Sequence, residues 1–294
     1  MYNTLEGSVK LYSVSTGGGG GTVTLPTTTE TETTTDPDGT TTKTETKSDG
    51  STVETVTKPD GSTTTTETKT ETKPDGSMTT TETKSETKSD GSKTETKSET
   101  TTAADGSKTE AKSETKTEAD GTKSETKAET RTDANGVTSG TETTQTTTPD
   151  GSTGTTTTTT ENGNTKTEAE AKISEKAVED AKQSGEAVKV PTEVRAGESS
   201  SSAPTVKVEL PKDAGETKIE IPVSDVNSGT VAVIVREDGT EEIVKSSTTT
   251  ENGLQLKVEG SATIKVIDNS KDFHDTCDHW SRDEVTNYKK SRGN

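Results

Sequence analysis

The sequence is poor in the residues that build a folded core. Hydrophobic residues make up 20% of its 294 positions and aromatic residues 2%, against about 45–50% apolar residues in an ordinary soluble domain. A single core spanning the whole chain is therefore excluded, and an active site buried across most of this length is not expected. No apolar run approaches the roughly 20 residues needed to cross a bilayer.

Clustered positive charge and secretory features are also missing. The net charge is −19, and Lys alternates with Glu along the chain, a pattern that disfavours nucleic acid and anionic membranes as partners. The first residues show neither the basic nor the apolar region of a secretory signal. The one cysteine, Cys277, has no partner for an internal disulfide, so cysteine usage says little about the redox compartment.

Side chains for catalysis or metal binding are almost absent. His274 and His279 flank Cys277 with a spacing that zinc ligands use, yet no second ligand pair lies elsewhere in the chain. No neighbouring residue activates Cys277 as a nucleophile, and the Asp-Gly turns lack the spaced acids and final Glu of an EF-hand. We therefore expect no catalytic residue, no metal site and no cofactor, and the chain is not predicted to be an enzyme.

Residues 27–165 carry an internal repeat marked by tight turns, most of which end in Asp-Gly. The turn glycines follow one another at two intervals of eleven, then six of fifteen and a last one of twelve, a regularity that chance does not produce. Glycine at each of these positions permits the positive φ of a hairpin turn. The turn glycines stand at positions 39, 50, 61, 76, 91, 106, 121, 136, 151 and 163.

Between the turns, Thr or Ser alternates with Glu or Lys. This is the strand period, so one face is expected to carry hydroxyls and the other mixed charge, with opposite charges paired across strands. The segment holds ten apolar residues among 139, which offset little of the about 1–2 kcal/mol per residue that backbone ordering costs. The sequence leaves two arrangements open: a largely disordered stalk or a single-layer β-meander.

Residues 166–268 have the pattern of a small domain. A helix is expected over 169–184, with Ser174 as its N-cap and Gly185 just after its end. Several short runs of alternating Val, Ile and Leu follow between about 206 and 267, separated by turn signals such as Asp238-Gly239. This spacing predicts a small antiparallel β-sandwich with an aliphatic core.

The last residues, 269–294, contain three of the five aromatic residues of the chain. The stretch from Asp272 to Val285 resembles the opening of a bacterial S-layer homology (SLH) domain, which begins Phe-x-Asp and continues with a His-Trp pair and an acidic, apolar helix. The same residues also suit an ordinary amphipathic helix. The residues that match the family pattern are Phe273, Asp275, His279, Trp280, Val285, Tyr288 and Gly293.

The resemblance implies cell-wall anchoring, and residues 220–273 are similar to the β-rich module that precedes such repeats in surface proteins of Clostridia-like bacteria. SLH modules associate in threes and bind secondary cell-wall polysaccharide, so the implied partner is that polymer and the implied contacts are Asp275 and Trp280. The segment covers less than half of one module and lacks the Thr-Arg-Ala-Glu motif. Binding to the wall by this chain alone is therefore not expected.

The predicted chain is mostly β and has four segments. These are an N-terminal tail with a glycine linker (1–26), the repeat stalk (27–165), a β-rich domain with one helix (166–268) and a partial SLH module (269–294). The predicted function is structural. The chain is expected to be a fragment of a secreted bacterial cell-surface protein whose role is spacing and display. The alternative is a carbohydrate-binding β-sandwich module of a larger surface protein or enzyme.

Overall fold

The computed structural model describes residues 27–270. Strands contain 59% of these residues and a single helix contains 4%, so the chain is mostly β, as its sequence predicts. It divides into two compact units, the first formed by residues up to 120 together with 125–138, and the second by 121–124 together with residues from 139 onward. The predicted limit between residues 165 and 166 lies inside a strand of the second unit, Asn164–Lys172.

The first unit consists of strands that follow one another in chain order. These strands are β1 (Thr28–Thr35), β2 (Thr41–Lys47), β3 (Thr52–Thr57), β4 (Thr63–Thr72), β5 (Met78–Thr87), β6 (Lys93–Thr102), β7 (Lys108–Thr117) and β8 (Lys123–Thr132). Each strand from β1 to β6 pairs antiparallel with the strand that follows it in the sequence, without any crossover.

Burial in the first unit differs from that of an ordinary domain. Among its described residues no apolar side chain is buried, and the three buried residues are Ser51, Ser77 and Ser92. Met78 and Val137 are the large apolar side chains that stand exposed. Backbone ladders and polar side chains, rather than an apolar core, therefore join these strands.

The second unit has more varied elements. They are β9 (Thr138–Thr147), β10 (Thr153–Glu161), β11 (Asn164–Lys172), α1 (Glu175–Ser184), β12 (Val188–Lys189), β13 (Val194–Arg195), β14 (Thr205–Glu209), β15 (Glu216–Ser224), β16 (Thr230–Val235), β17 (Glu241–Ile243), β18 (Thr248–Thr249), β19 (Gly253–Glu259) and β20 (Ala262–Asp268). One group of strands runs β9-β10-β11-β14-β20-β16-β17, and a second runs β12-β15-β19-β18 with β13 beside β15.

The two groups of strands in the second unit contribute to one aliphatic core. Alternation along each strand turns every second residue inward, as with Ile219 and Ile221 on β15 and Leu254 and Leu256 on β19. Ile264 on β20 is likewise fully buried in this core. The alternating Val, Ile and Leu of the sequence thus mark the buried face of these strands.

The pairing in the second unit is not antiparallel throughout. Strand β14 runs parallel to β11, and both β12 and β13 run parallel to β15. The parallel step from β11 to β14 requires a long crossover, which residues 173–204 supply with α1 at its start. The expectation of a purely antiparallel sheet arrangement was therefore wrong in this detail, because turn signals do not reveal which distant strand is the neighbour.

The helix begins and ends where capping residues predict. The Ser174 side chain accepts a hydrogen bond from the Ala177 backbone N–H at 3.0 Å, and Gly185 adopts a left-handed conformation with φ of 76°. Residues 169–173, which were expected to be helical, lie in or directly after β11. Their Ala residues alternate as in a strand, with Ala169 and Ala171 buried in the core.

Candidate functional site

The repeat turns share one local geometry. In the turn at residues 73–76, Gly76 N–H donates to the Lys73 carbonyl at 3.0 Å, and Lys73 N–H donates to the Ser77 carbonyl at 2.8 Å. Gly76 has a φ of 83°, so the loop is a three-residue hairpin in which the left-handed residue is glycine. Equivalent backbone bonds recur in most turns of the repeat.

An aspartate side chain stabilises each such turn by hydrogen bonding. The Asp75 carboxylate accepts hydrogen bonds from the Ser77 backbone N–H at 2.9 Å and from the Ser77 hydroxyl at 2.6 Å. These two bonds from Ser77 lower the pKa of Asp75, and the corresponding bonds lower the pKa of Asp49, Asp60 and Asp105. The Asp-Gly-Ser sequence is therefore a turn motif, in agreement with the sequence prediction that turn geometry explains these acids.

The faces of the sheet differ from the expectation of one hydroxyl face and one charged face. In the β5–β6 pair, Thr81 lies opposite Glu99 and Thr83 lies opposite Lys97. Since directly opposed residues share a face, the hydroxyls of one strand lie beside the charges of the next. Each face of the first unit thus alternates between hydroxyl stripes and charged stripes, with neighbouring charged stripes about 9.6 Å apart.

The sequence contained the signal for this alternation. A three-residue hairpin loop places odd-numbered residues opposite odd-numbered ones and even opposite even, as in Lys73 opposite Ser77. The interval between successive glycines, such as Gly76 and Gly91, is an odd number of residues. Equivalent residues of the repeat are therefore odd-numbered in one strand and even-numbered in the next. The hydroxyl side of the pattern therefore moves to the other face at each strand. The stripes can therefore be predicted from the sequence when the length of the loop and the length of the repeat are considered together with the strand period.

Ion pairing follows the stripes. Salt bridges of the first unit mostly join residues two apart on one strand, such as Lys69 with Glu71 at 2.8 Å and Lys112 with Glu114 at 2.9 Å. The Lys47 ammonium reaches over β3 to Glu67 on β4. The sequence suggested that opposite charges pair between directly adjacent strands. In these ion pairs, charged residues mostly contact others on the same strand, because the residue directly opposite on the next strand carries a hydroxyl.

A polar groove on one face of the first unit has a volume of about 560 Å³. Its floor is formed by Thr79, Thr81 and Thr83 of β5, and its walls are the charged stripes of β4 and β6. Across this groove, Glu67 stands level with Lys97 and Lys69 stands level with Glu99. The groove is solvated and lacks the apolar lining that small-molecule sites have.

A hydroxyl–ammonium–carboxylate cluster lies in the second unit. The Lys265 ammonium donates to the Ser200 hydroxyl at 2.9 Å and to Glu241 at 2.6 Å, and Ser200 donates to the second oxygen of Glu241 at 2.6 Å. Hydrogen bonds from Lys265 and Ser200 lower the pKa of Glu241, which makes its carboxylate a weak base. The cluster therefore fastens the 199–202 loop to the sheet instead of activating Ser200.

The last full repeat turn is joined to the start of α1 by a second hydrogen-bonded cluster. Ser174 donates its hydroxyl to Asp150 at 3.2 Å, and its backbone N–H donates to the Ser152 hydroxyl at 3.0 Å. Burial raises the pKa of Asp150, but hydrogen bonds from Ser152, Thr148 and Ser174 outweigh this and leave the pKa lowered. The N-cap residue therefore belongs to the repeat turn as well as to the helix.

The residues expected from the SLH resemblance, Asp275 and Trp280, lie outside the described residues, as do Cys277 and both histidines. Over the part of the chain that the structure describes, no group of three His, Cys, Asp or Glu side chains is placed to hold a metal ion. Among residues 27–270 no helix has the length and apolar character needed to cross a membrane. No family model, curated protein or solved structure matches the chain.

Proposed function

We propose that this chain is a structural part of a bacterial cell-surface protein, in which the repeat strands form a polar spacer stalk. The observation that carries the proposal is the composition of both faces of the first unit. They consist of hydroxyl and charged stripes, with no buried apolar side chain beneath them among the described residues. Such a segment adds length and hydrated surface, and the groove on its face is solvated and polar.

The second unit is proposed to be a compact β-sandwich that follows the first unit in the chain. Two groups of strands share one aliphatic core, and β11 belongs to both the repeat pattern and that core. Its first half carries Thr and Lys side chains in the repeat alternation, whereas Ala169 and Ala171 in its second half are buried. The apolar core therefore begins within the same strand in which the repeat ends.

Anchoring is proposed from the sequence resemblance of residues 269–294 to the opening of an SLH module. In this proposal Asp275 and Trp280 contribute to binding secondary cell-wall polysaccharide once complete modules are present. The extracellular location follows from the same proposal. The acidic net charge of −19 then serves to keep the surface hydrated and soluble.

Limited proteolysis of intact cells tests this location. Cells that produce the chain joined to complete SLH modules are treated with trypsin, because Lys recurs in each long repeat strand from β4 to β8. We expect peptides from residues 27–138 in the medium before any cytosolic marker appears, and release of this protein from isolated walls by concentrated guanidinium chloride. Peptides that appear only after lysis contradict the surface location, whereas resistance to guanidinium extraction contradicts non-covalent anchoring.

A carbohydrate-binding module is the second candidate, favoured by a cleft of about 560 Å³ in the second unit. Ile234, Val258 and Ala262 give it an apolar part, and Lys207 and Arg236 stand among its polar residues. No aromatic residue occurs between positions 27 and 270 to stack on a sugar ring. A glycan array probed with the full chain distinguishes the candidates: selective binding that Ile234→Asp abolishes supports the module, and an empty array supports the spacer.

A further inference from the structure

The strand order of the first unit has a mechanical consequence. Strand β1 lies at one end of the order and pairs with β2, and each following strand pairs with the ones before and after it in sequence. Detaching β1 therefore leaves every other pairing of the unit in place. The next strand then occupies the same end position that β1 held.

Side chains do not tie the strands into larger blocks. No buried apolar side chain spans them among the described residues, and the hydroxyl contacts join directly opposed residues, such as Thr79 with Thr101 at 3.0 Å. The pair of Lys47 with Glu67 skips one strand and the pair of Lys69 with Asp49 joins β4 to the β2–β3 turn, but all four side chains keep at least 25% of their surface exposed, and ion pairs that water still reaches contribute little. The unit therefore behaves as a one-dimensional array in which each strand depends on its nearest neighbours.

We propose that the first unit is an extensible segment that peels strand by strand from β1 under tension and re-forms in the reverse order. A strand pulled from its end loses its ladder hydrogen bonds one after another, and its removal uncovers no buried apolar side chain. The first event releases β1 as far as its turn glycine, and each later event releases the chain between two successive turn glycines. The spacing of these glycines therefore sets the length released at every step.

The expected steps form an ordered pattern. Strand β1 releases the chain from Thr28 to Gly39, and β2 and β3 release Gly39 to Gly50 and Gly50 to Gly61, three short intervals of equal length. Strands β4, β5, β6 and β7 each release a long interval, of which Gly61 to Gly76 is the first. At about 3.4 Å per extended residue, a short step measures about 37 Å and a long step about 51 Å. Three short steps followed by four long ones distinguish chain-order peeling from any other sequence of events.

An extensible spacer deepens the proposed stalk function, but peeling itself follows from strand order alone. A chain located elsewhere in the cell can still peel, and a surface spacer can still be rigid. The proteolysis of intact cells therefore tests the surface location, and the force measurement tests peeling. A negative result in one experiment does not imply a negative result in the other.

An optical trap tests the proposal with the full chain. One handle is attached at the N-terminus and the other at position 127, where Lys127 is replaced by an azide-bearing amino acid, and Cys277→Ser removes the native thiol. The Lys127 side chain is 71% exposed and forms its ion pair with Glu125 on the same strand, so the handle leaves the ladder intact. We expect three short steps, for β1, β2 and β3, and then four long ones, with closely similar forces for the long steps.

A variant with a disulfide between two strands, called the staple variant, identifies the strands that move. In Thr79→Cys with Thr101→Cys, the two opposed positions of β5 and β6 are joined under oxidising conditions. The staple closes the chain between these two positions, so the total length released falls by about 75 Å, and a reductant restores it. A total release that is the same with and without the reductant contradicts the assignment of the late steps to β5 and β6.

Two other results overturn the proposal. One is a single event that releases all strands together, and the other is the appearance of long steps before the short ones. Hydrogen exchange of the unmodified chain provides a test without handles. Amide protection is expected to rise strand by strand from β1 towards β7, and uniform protection across these strands contradicts peeling.

Discussion

Replacing Ser174 by Ala is expected to destabilise the second unit, because this residue serves two structures at once. Its hydroxyl caps α1 by accepting from Ala177 N–H at 3.0 Å, and it also donates to the Asp150 carboxylate at 3.2 Å. The Ser152 hydroxyl donates to it in turn at 3.3 Å, and Ser152 is 1% exposed. Alanine removes all three bonds and leaves the Ser152 donor buried.

The magnitude follows from two contributions. Loss of a Ser N-cap costs about 1 kcal/mol, and loss of the partly exposed hydrogen bond to Asp150 costs about 1 kcal/mol more, the typical net value of an intramolecular hydrogen bond. The expected decrease in the free energy of unfolding is therefore about 2 kcal/mol. For a unit of this size the decrease corresponds to a melting temperature lower by about 7 °C.

Thermal and urea unfolding of the full chain, followed by far-UV circular dichroism, measure this effect. Ser184→Ala is the matched control, since Ser184 is an exposed serine at the other end of α1. Its hydroxyl donates to the Ala181 carbonyl at 3.5 Å and accepts from Glu186 N–H at 3.3 Å, both in contact with solvent, so its effect should stay within about 0.5 kcal/mol. A double-mutant cycle with Asp150→Ala should give a coupling of about 0.5 kcal/mol or more, the lower limit for contacting residues. Equal stability of the Ser174 and Ser184 variants refutes the reasoning.

Three further perturbations have defined outcomes. Acidification should weaken the first unit, because hydrogen bonds lower the folded-state pKa of turn residues such as Asp75 below the unfolded value. The stability that these bonds give is present above about pH 4 and is lost as the pH falls through the folded pKa. A β signal in circular dichroism that is unchanged in strong acid contradicts this prediction. Leu254→Ala, at a position that is 0% exposed, should cost about 2–5 kcal/mol in urea unfolding, whereas Val137→Ala, which is 46% exposed, should cost under about 0.5 kcal/mol. Gly154→Ala places a Cβ 2.0 Å from the Pro191 carbonyl oxygen and should prevent normal folding of the second unit, measured as loss of its cooperative transition, while Thr155→Ala on the same strand should retain it.

Features that depend on neighbouring residues could be read from the sequence. The turns at regular glycines, the caps at Ser174 and Gly185 and the alternating core strands all arise from local backbone geometry or from the two-residue strand period. Pairing between distant segments could not be read in this way. Nothing in the residues of β11 and β14 indicates that they run side by side and parallel, because the choice of partner depends on how the whole core closes.

The candidate polar clusters were missed for a similar reason. Ser200 and Lys265 are 65 positions apart and Glu241 lies between them, so no spacing in the sequence joins them. The cluster at Asp150 and Ser174 spans 24 positions and two elements that the sequence assigned to different segments. Each requires the fold before its members can be recognised as neighbours.

The odd length of the long repeat explains how a sheet with so little apolar content keeps both faces hydrated. With a repeat one residue shorter or longer and the same three-residue loops, every Thr would lie on one face and every Glu or Lys on the other. The uncharged face would then be flat and continuous, a surface on which other sheets stack. With the odd repeat, each Thr stripe is bordered by charged stripes, as Thr81 is by Lys69 and Glu99. The period of the repeat, more than its composition, therefore gives the first unit two equivalent faces, each with charged stripes beside the Thr stripes.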